Sequence, residues 1–408
     1  MSSGISPSAA ASPPVNAFAR LLPLTLAVFV SFLCLGMPMP VLPLHLSQTL
    51  GLGTLGVGTV MGCQFAAALL SRAWAGSLAD TRGARRAVVL GMLLAAASGV
   101  AYLMSRAFEG GQAAVWVLAA GRVMLGCAES LIITGALSWG MGMIGPQHAG
   151  KVMAWVGIAM YGAYAAGAPA GVAVQAAWGF SGIAVATIVL PLAALAMVWG
   201  LRATPAAAQR RTPFYKVLGT VWLPGLGLAL SSAGFGVITT FAALLFASRG
   251  WGAASLAFTA FGLAFIGARL FFGHLPDKLG GVRVALASIP LEAAGLLLIW
   301  GGGDAAWAYA GAALTGFGYS LAFPAFGVEA VRRAPPQARG AAMGAYVAFF
   351  DLSMGLTAPA AGLLASVTGV GDVYFAAAVS VALSIAVALL LRVNAARGAS
   401  HGLSLIHI

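Results

Sequence analysis

GSLADTRGARR (residues 76–86) and GHLPDKLGGVR (residues 273–283) together decide how this chain is built. Gly76, Asp80, Gly83 and Arg86 of the first stretch return as Gly273, Asp277, Gly280 and Arg283 in the second, each 197 positions later. Both stretches are polar breaks between long apolar runs. One such break has little weight, but two at equivalent places imply that a whole block of the chain is duplicated.

The runs around these breaks are extreme in composition. Of 408 residues, 61% are hydrophobic and 7% are charged, and the mean hydropathy is +0.97. A soluble domain carries about 25% charged residues, so a water-facing surface cannot be assembled from this chain. The 55 glycines suit close helix packing in lipid. A span needs roughly 20 apolar residues. Cutting at charged or Gly/Pro-rich breaks gives twelve candidates, at 20–47, 53–74, 85–105, 113–143, 151–176, 179–201, 217–247, 253–272, 283–302, 305–331, 339–367 and 371–392. Backbone polar groups must be satisfied internally in lipid, so these runs read as helices, and no alternating barrel strands are visible. The expected fold is an all-α membrane protein of twelve transmembrane helices in two pseudo-symmetric six-helix bundles.

The expected organisation is a disordered tail at 1–19, a first bundle at 20–201, a basic linker at 202–216, a second bundle at 217–393 and a tail at 394–408. The first nineteen residues have no basic n-region. LSLIHI (403–408) resembles the translation of a transposon end used to prepare sequencing libraries, and it is set aside as an adaptor artefact.

Basic residues orient the chain. Eighteen of the 21, among them Arg72 and Arg269, are assigned to the tails and to the breaks on one side. The other side has Arg106 and Arg249, and Arg122 alone is left inside a span. Both termini are therefore expected in the cytoplasm. The net charge of +12 is positive-inside bias and gives no reason to expect nucleic-acid binding. None of the three lysines stands in G-x-x-x-x-G-K-[ST], so ATP hydrolysis has no P-loop to work with, and no ATPase subunit is implied.

An intramembrane enzyme is the rival class. Its metal form needs histidines within spans, whereas His45, His148, His274, His401 and His407 fall at span ends, in loops or in the tail. Cys34, Cys63 and Cys127 have no metal-ligand spacing and read as small packing residues. No enzyme, metal or organic cofactor is expected. Internal duplication instead fits secondary transporters, whose sites lie between repeats near the midplane.

An ionisable side chain mid-span costs about 2.5–3.5 kcal/mol on insertion scales. Arg122, Glu129, Glu292 and Asp351 survive there. Arg122 and Glu129, in GRVMLGCAESLI (121–132), are seven residues and two helical turns apart on one face, with Gly126 between them. Low dielectric disfavours a charged carboxylate and a nearby guanidinium favours it, so such a group can be poised to exchange a proton. Glu129 is thus a candidate to carry a proton, to touch a solute or to pin helices. Asp351 is read as a coupling or solute contact, or as half of a structural pair. Glu292, beside Pro290, is read as an interhelical bond. Trp139, Tyr161, Tyr164, Phe323, Tyr346 and Phe350 are candidate walls of an organic-solute cavity, and ordinary packing is the alternative for many of them.

Residues 76–86 match G-x-x-x-D-x-x-G-x-R/K-R/K in full, and the chain from about 20 to 393 resembles the major facilitator superfamily. The second copy departs from the pattern at Val282. The resemblance implies that Gly76, Asp80, Gly83, Arg85, Arg86, Gly273, Asp277, Gly280 and Arg283 belong to a cytoplasmic gate. Glu329, near Arg332 and Arg333, is read as a latch partner. The resemblance also ties the R-x-x-x-G of Arg122 and Gly126 to proton coupling. GRVMLGCAESLIITGALSWG, GIAMYGAYAAGAPAGV and GAYVAFFDLSMGLTAPAAG look like the bacterial YfcJ/YhhS-like branch, grouped with sugar- and drug-efflux-like carriers. The motif GAPAG (167–171) departs from the antiporter pattern G-x-x-x-G-P-x-x-G-G.

The resulting expectation is a monomeric, multi-pass carrier of the bacterial inner membrane. It would export a small organic solute against proton entry, with the lipid bilayer as its surroundings and a proton gradient as its energy source. The alternatives are a proton-coupled importer or uniporter, or a sensor built on a transporter fold.

Overall fold

The computed structural model describes residues 17–108, 111–145, 148–204, 217–335 and 339–404. Residues 1–16 of the expected tail, 205–216 of the expected linker and 405–408 of the terminal hexapeptide lie outside the described residues. Among the described residues the regular elements are helical. They are α1 (Ala17–Gly36), α2 (Pro38–Leu44) with a π-helical turn (His45–Thr49), α3 (Thr54–Thr81), α4 (Ala84–Ser105), α5 (Gln112–Ile144), α6 (Ala149–Trp199), α7 (Leu218–Ser248), α8 (Ser255–Phe272), α9 (Leu275–Leu279), α10 (Gly281–Gly301), α11 (Ala305–Arg333), α12 (Arg339–Thr368) and α13 (Asp372–Ser404).

Ten of the described helical segments are long and apolar enough to cross a bilayer. The expected spans 151–176 and 179–201 are joined in α6, whose 51 residues contain one non-helical position, Gly179, at φ 61 and ψ −163. At about 1.5 Å per residue, α6 is more than twice as long as the ~30 Å hydrocarbon core. Its two stretches pack differently, the whole helix touching α1, α4 and α8. α11 has 29 residues but falls below the apolarity of the ten. Its C-terminal turns carry Glu329, Arg332 and Arg333.

The duplicated breaks have a backbone cause. Gly83 (φ 96, ψ 144) and Gly280 (φ 89, ψ 142) start α4 and α10 in the same left-handed conformation. Only glycine takes such values without strain, so the repeated glycine is a repeated turn. Helix pairing repeats as well. α4 lies on α5 as α10 lies on α11, α3 on α5 as α8 on α11, and α4 on α6 as α10 on α13. Contacts between the earlier and later helices run chiefly through α3–α12, α6–α8 and α2–α7.

Small residues set the α3–α12 distance. A Cβ on Gly58 would stand 2.1 Å from the Ala358 carbonyl oxygen, and one on Gly362 would stand 2.4 Å from that of Thr54. The Thr54 hydroxyl donates to the Gly362 carbonyl at 2.8 Å. Such backbone approach is what small residues contribute to packing in lipid, where no hydrophobic force draws helices together. α7 is enclosed along most of its length, whereas Leu70, Phe271 and Val367 point outward. Trp116, Trp178, Trp199 and Trp307 are exposed close to helix ends or to the Gly179 break, as interfacial tryptophans are.

Gly58→Val is expected to wedge α3 away from α12, at a cost of about 1–3 kcal/mol from overpacking. Gly58→Val should lower the thermal unfolding temperature in detergent more than Gly76→Val, because a Cβ on Gly76 of the same helix meets nothing within 4 Å. Equal effects of the two variants would contradict this account of the contact.

Candidate functional site

α3 carries two polar side chains into the interior, and each reaches a different helix. Gln64 donates through Nε2 to Glu129 Oε2 of α5 at 2.7 Å. Arg72 meets Asp351 of α12, with Nη2 2.5 Å and Nε 2.6 Å from Oδ2. Glu129 and Asp351 are buried and Arg72 is nearly so. Arg72, Arg122, Asp351, Tyr164, Tyr161 and Cys34 all lie within electrostatic reach of Glu129. The site is therefore a set of two carboxylates and two guanidiniums in electrostatic reach of one another, and among the described residues the Arg72–Asp351 pair is its ion-paired bridge between early and late helices.

Arg122 and Glu129 are both buried on α5. The Arg122 Nη2 donates to the Met61 carbonyl at 3.3 Å, while its Nε has no hydrogen-bond partner among the described residues. Gly126, between them, explains the spacing. A Cβ there would stand 1.9 Å from the Gln64 carbonyl oxygen, so only glycine lets α5 come close enough for Gln64 to reach Glu129.

Five of the six expected cavity aromatics join one cluster. Tyr161 stacks on Phe265 with centroids 3.7 Å apart, and Tyr161 and Tyr164 approach Phe235 at 5.7 and 5.9 Å. Phe350 stacks near Phe235, and Tyr346 adjoins Phe323, which adjoins Tyr319. Trp139 stands apart, donating through Nε1 to the Arg202 carbonyl at 3.0 Å. Phe235 of α7 and Phe265 of α8 are at the centre of the cluster, although as phenylalanines in apolar runs they carry no signal that singles them out.

The expected gate residues surround the two turns. Gly76 lies in α3, Gly273 ends α8, Asp80 is half-buried near the end of α3, and Asp277 is exposed in α9. Arg85 donates to the Trp199 carbonyl at 2.6 Å, so it caps the C-terminal end of α6. Arg86 and Arg283 are exposed. Glu329 pairs along its own helix, with Arg333 at 3.0 Å and Arg332 at 3.6 Å. Glu292 accepts from the Ser231 hydroxyl of α7 at 2.7 Å, joining α7 to α10, and its second oxygen has no partner.

Arg72 and Arg269 need correcting. Positive-inside counting assigned both to loops, yet both sit within helices, Arg72 paired with Asp351 and Arg269 over the Phe265 ring at 5.3 Å. Gln64 was also missed. Its signal was faint but present, since a polar amide stands in a span two turns before an arginine.

A helical bundle with an internal repeat, ten apolar helical segments of spanning length and carboxylates buried among them defines a polytopic membrane protein. The chain belongs to the major facilitator superfamily, whose profile matches residues 24–252 and 225–404. It is 43% identical over 366 residues to an MFS-type transporter of Salmonella typhimurium, covering 90% of this chain and 94% of that one. A Pseudomonas aeruginosa MFS-type transporter is 42% identical over 386 residues, covering 94% and 96%. Among solved structures, a nucleoside transporter superposes with a TM-score of 0.73 at 14% identity, covering 91% of this chain and 99% of that one. A human organic anion transporter superposes with a TM-score of 0.71 at 16% identity, covering 92% and 100%. These two show the fold alone. The protein is a multi-pass membrane transporter and not an enzyme.

Removing one partner of a buried pair leaves a charge uncompensated, at about 3–5 kcal/mol. Asp351→Asn is thus expected to lower the thermal unfolding temperature in detergent more than Arg72→Gln with Asp351→Asn together. A double variant less stable than the single one would show that the pair is not the relevant contact.

Proposed function

We propose that the chain is a proton-coupled secondary transporter of a small organic solute, working by alternating access, with Glu129 as the proton carrier. The observation that carries this reading is the double attachment of α3. Gln64 and Arg72 stand eight residues, or about 12 Å, apart on one helix. One bonds Glu129 and the other bonds the inter-helix partner Asp351. A proton arriving on Glu129 removes a negative charge beside Arg72 and replaces the bond accepted from Gln64. The α3–α12 contact is then biased by the protonation state of α5, and a carrier needs such a link between loading and rearrangement.

In this reading the chain has twelve spans, with α6 supplying two across Gly179 and α11 supplying one. The bundles are 20–201 and 217–393, joined by a cytoplasmic linker at 202–216, and both termini are cytoplasmic in a bacterial inner membrane. The two repeated turns, with Glu329, form the cytoplasmic gate region. The likeness to the YfcJ/YhhS-like branch supports export in exchange for protons. Import together with a proton is the second reading, and the charge of Arg269, which has no carboxylate partner among the described residues, favours it.

The test is solute flux in proteoliposomes under an imposed pH gradient. Glu129→Gln is expected to reduce gradient-driven flux at least about 100-fold, the scale of losing a general acid–base group, while counterflow without a gradient persists. Full gradient-driven flux in that variant would sink the proton-carrier role. The direction in which solute moves relative to protons separates export from import.

A further inference from the structure

The repeat relates the two interfaces between early and late helices. The 197-residue offset that carries Gly76 to Gly273 also carries Arg72 to Arg269. A second offset of 190 residues carries Gly150 to Gly340, Met153 to Met343 and Pro169 to Pro359, and it pairs Tyr161 with Asp351. The same 190 carries Gly126 to Gly316 and Glu129 to Tyr319. The α6–α8 interface is thus the counterpart of α3–α12. Arg269 occupies the place of Arg72, and a phenol stands where the other interface has its carboxylate.

Arg269 is therefore an arginine whose structural counterpart is ion-paired and which is not ion-paired itself. No carboxylate lies within ion-pair distance among the described residues. Its Nε is buried without a hydrogen-bond partner among the described residues. The Tyr161, Tyr319 and Tyr346 hydroxyls are within its electrostatic reach. Phe265 lies under its guanidinium at 5.3 Å and stacks on Tyr161, which meets Phe235. Phe235 in turn stacks with Tyr319 at 5.9 Å. A guanidinium offers a planar fork of donors to an oxyanion, and the rings beside it, buried against one another here, would offer their faces to an apolar body inserted between α6 and α8.

We propose that Arg269 and the aromatic layer of Tyr161, Phe265, Phe235 and Tyr319 form a binding site for an organic anion, whose carboxylate or similar oxyanion takes the place that Asp351 occupies opposite Arg72. The proposal rests on the transport reading above and narrows its solute to an anion with a planar apolar part.

Binding of 2-naphthoate and naphthalene-2-sulfonate to the purified full-length chain in detergent, compared with neutral 2-naphthamide, tests this. Calorimetric titration should show the anions binding roughly 10- to 100-fold tighter than the amide, the scale of a charge-assisted hydrogen bond. Arg269→Gln should erase that preference and Arg269→Lys should retain part of it. Tyr161→Asp supplies the missing carboxylate internally, so it should also abolish anion binding, and it keeps the test valid if Arg269→Gln fails to fold. Equal binding of amide and anion, no anion binding at millimolar concentration, or an undiminished preference in Arg269→Gln or Tyr161→Asp would overturn the proposal. Anion binding without flux would leave the Arg269 site standing and overturn the transport reading. Flux confined to neutral or cationic solutes would do the reverse.

Discussion

A charge held within a bilayer has no water to fall back on, so its partner must be built into the protein. The Arg72–Asp351 pair meets that constraint across two helices that belong to different repeats. Neither side chain can leave without the other, or without water or a new partner arriving. This makes the α3–α12 contact discrete: it is either formed with its pair intact or remade around a hydrated one. The glycines along the same contact act in the same direction. Backbones as close as those at Gly58 and Ala358 have no soft side chains between them, so the helices separate as rigid bodies instead of deforming.

The two interfaces started from one plan and have diverged in chemistry. Around α3 and α12 the positions hold Gln64, Glu129 and Asp351. Their counterparts around α6 and α8 are Phe261, Tyr319 and Tyr161, and the arginine is kept in both. In the proposed reading one side would hold and exchange protons, and the other would stack against a flat solute. Tyr161 lies within electrostatic reach of both Arg269 and Glu129, so it stands between the two sides.

Much of the fold was legible because lipid makes strict demands. Apolar runs of span length, basic breaks and a repeated Gly-Asp-Gly-Arg pattern leave few architectures, and Gly83 and Gly280 show that the repeat is a backbone requirement. Glu129 and Asp351 were legible for the same reason, as carboxylates stranded in apolar sequence. Arg72 and Arg269 were not. Each stands near the end of its apolar run, where a basic residue ordinarily marks a boundary. Only the partner, Asp351 at 279 positions away, shows that Arg72 is interior. Gly126 was legible as a motif residue but not as the point where α5 touches the Gln64 backbone, because that contact depends on the relative placement of two helices. Trp139 was read as a candidate cavity wall among the clustered aromatics, and its indole donates to the Arg202 carbonyl.

The sign of the coupling follows from the charges. With Glu129 ionised, Arg72, Arg122, Glu129 and Asp351 sum to zero, and Arg269 is an unmatched positive charge nearby. Adding a proton to Glu129 leaves the same set one unit more positive. Positive charge added to a low-dielectric site raises its affinity for an anion and lowers it for a cation. A proton and an anionic solute would then stabilise one another in the site, and linkage makes that effect mutual. Co-loading of this kind drives solute and proton in the same direction, whereas exchange requires each to displace the other. A neutral solute would feel little of this and could be exchanged by simple competition for space. Under the proposed proton-coupled reading, the charge of the solute and the direction of transport would therefore be linked through Glu129 and Arg269.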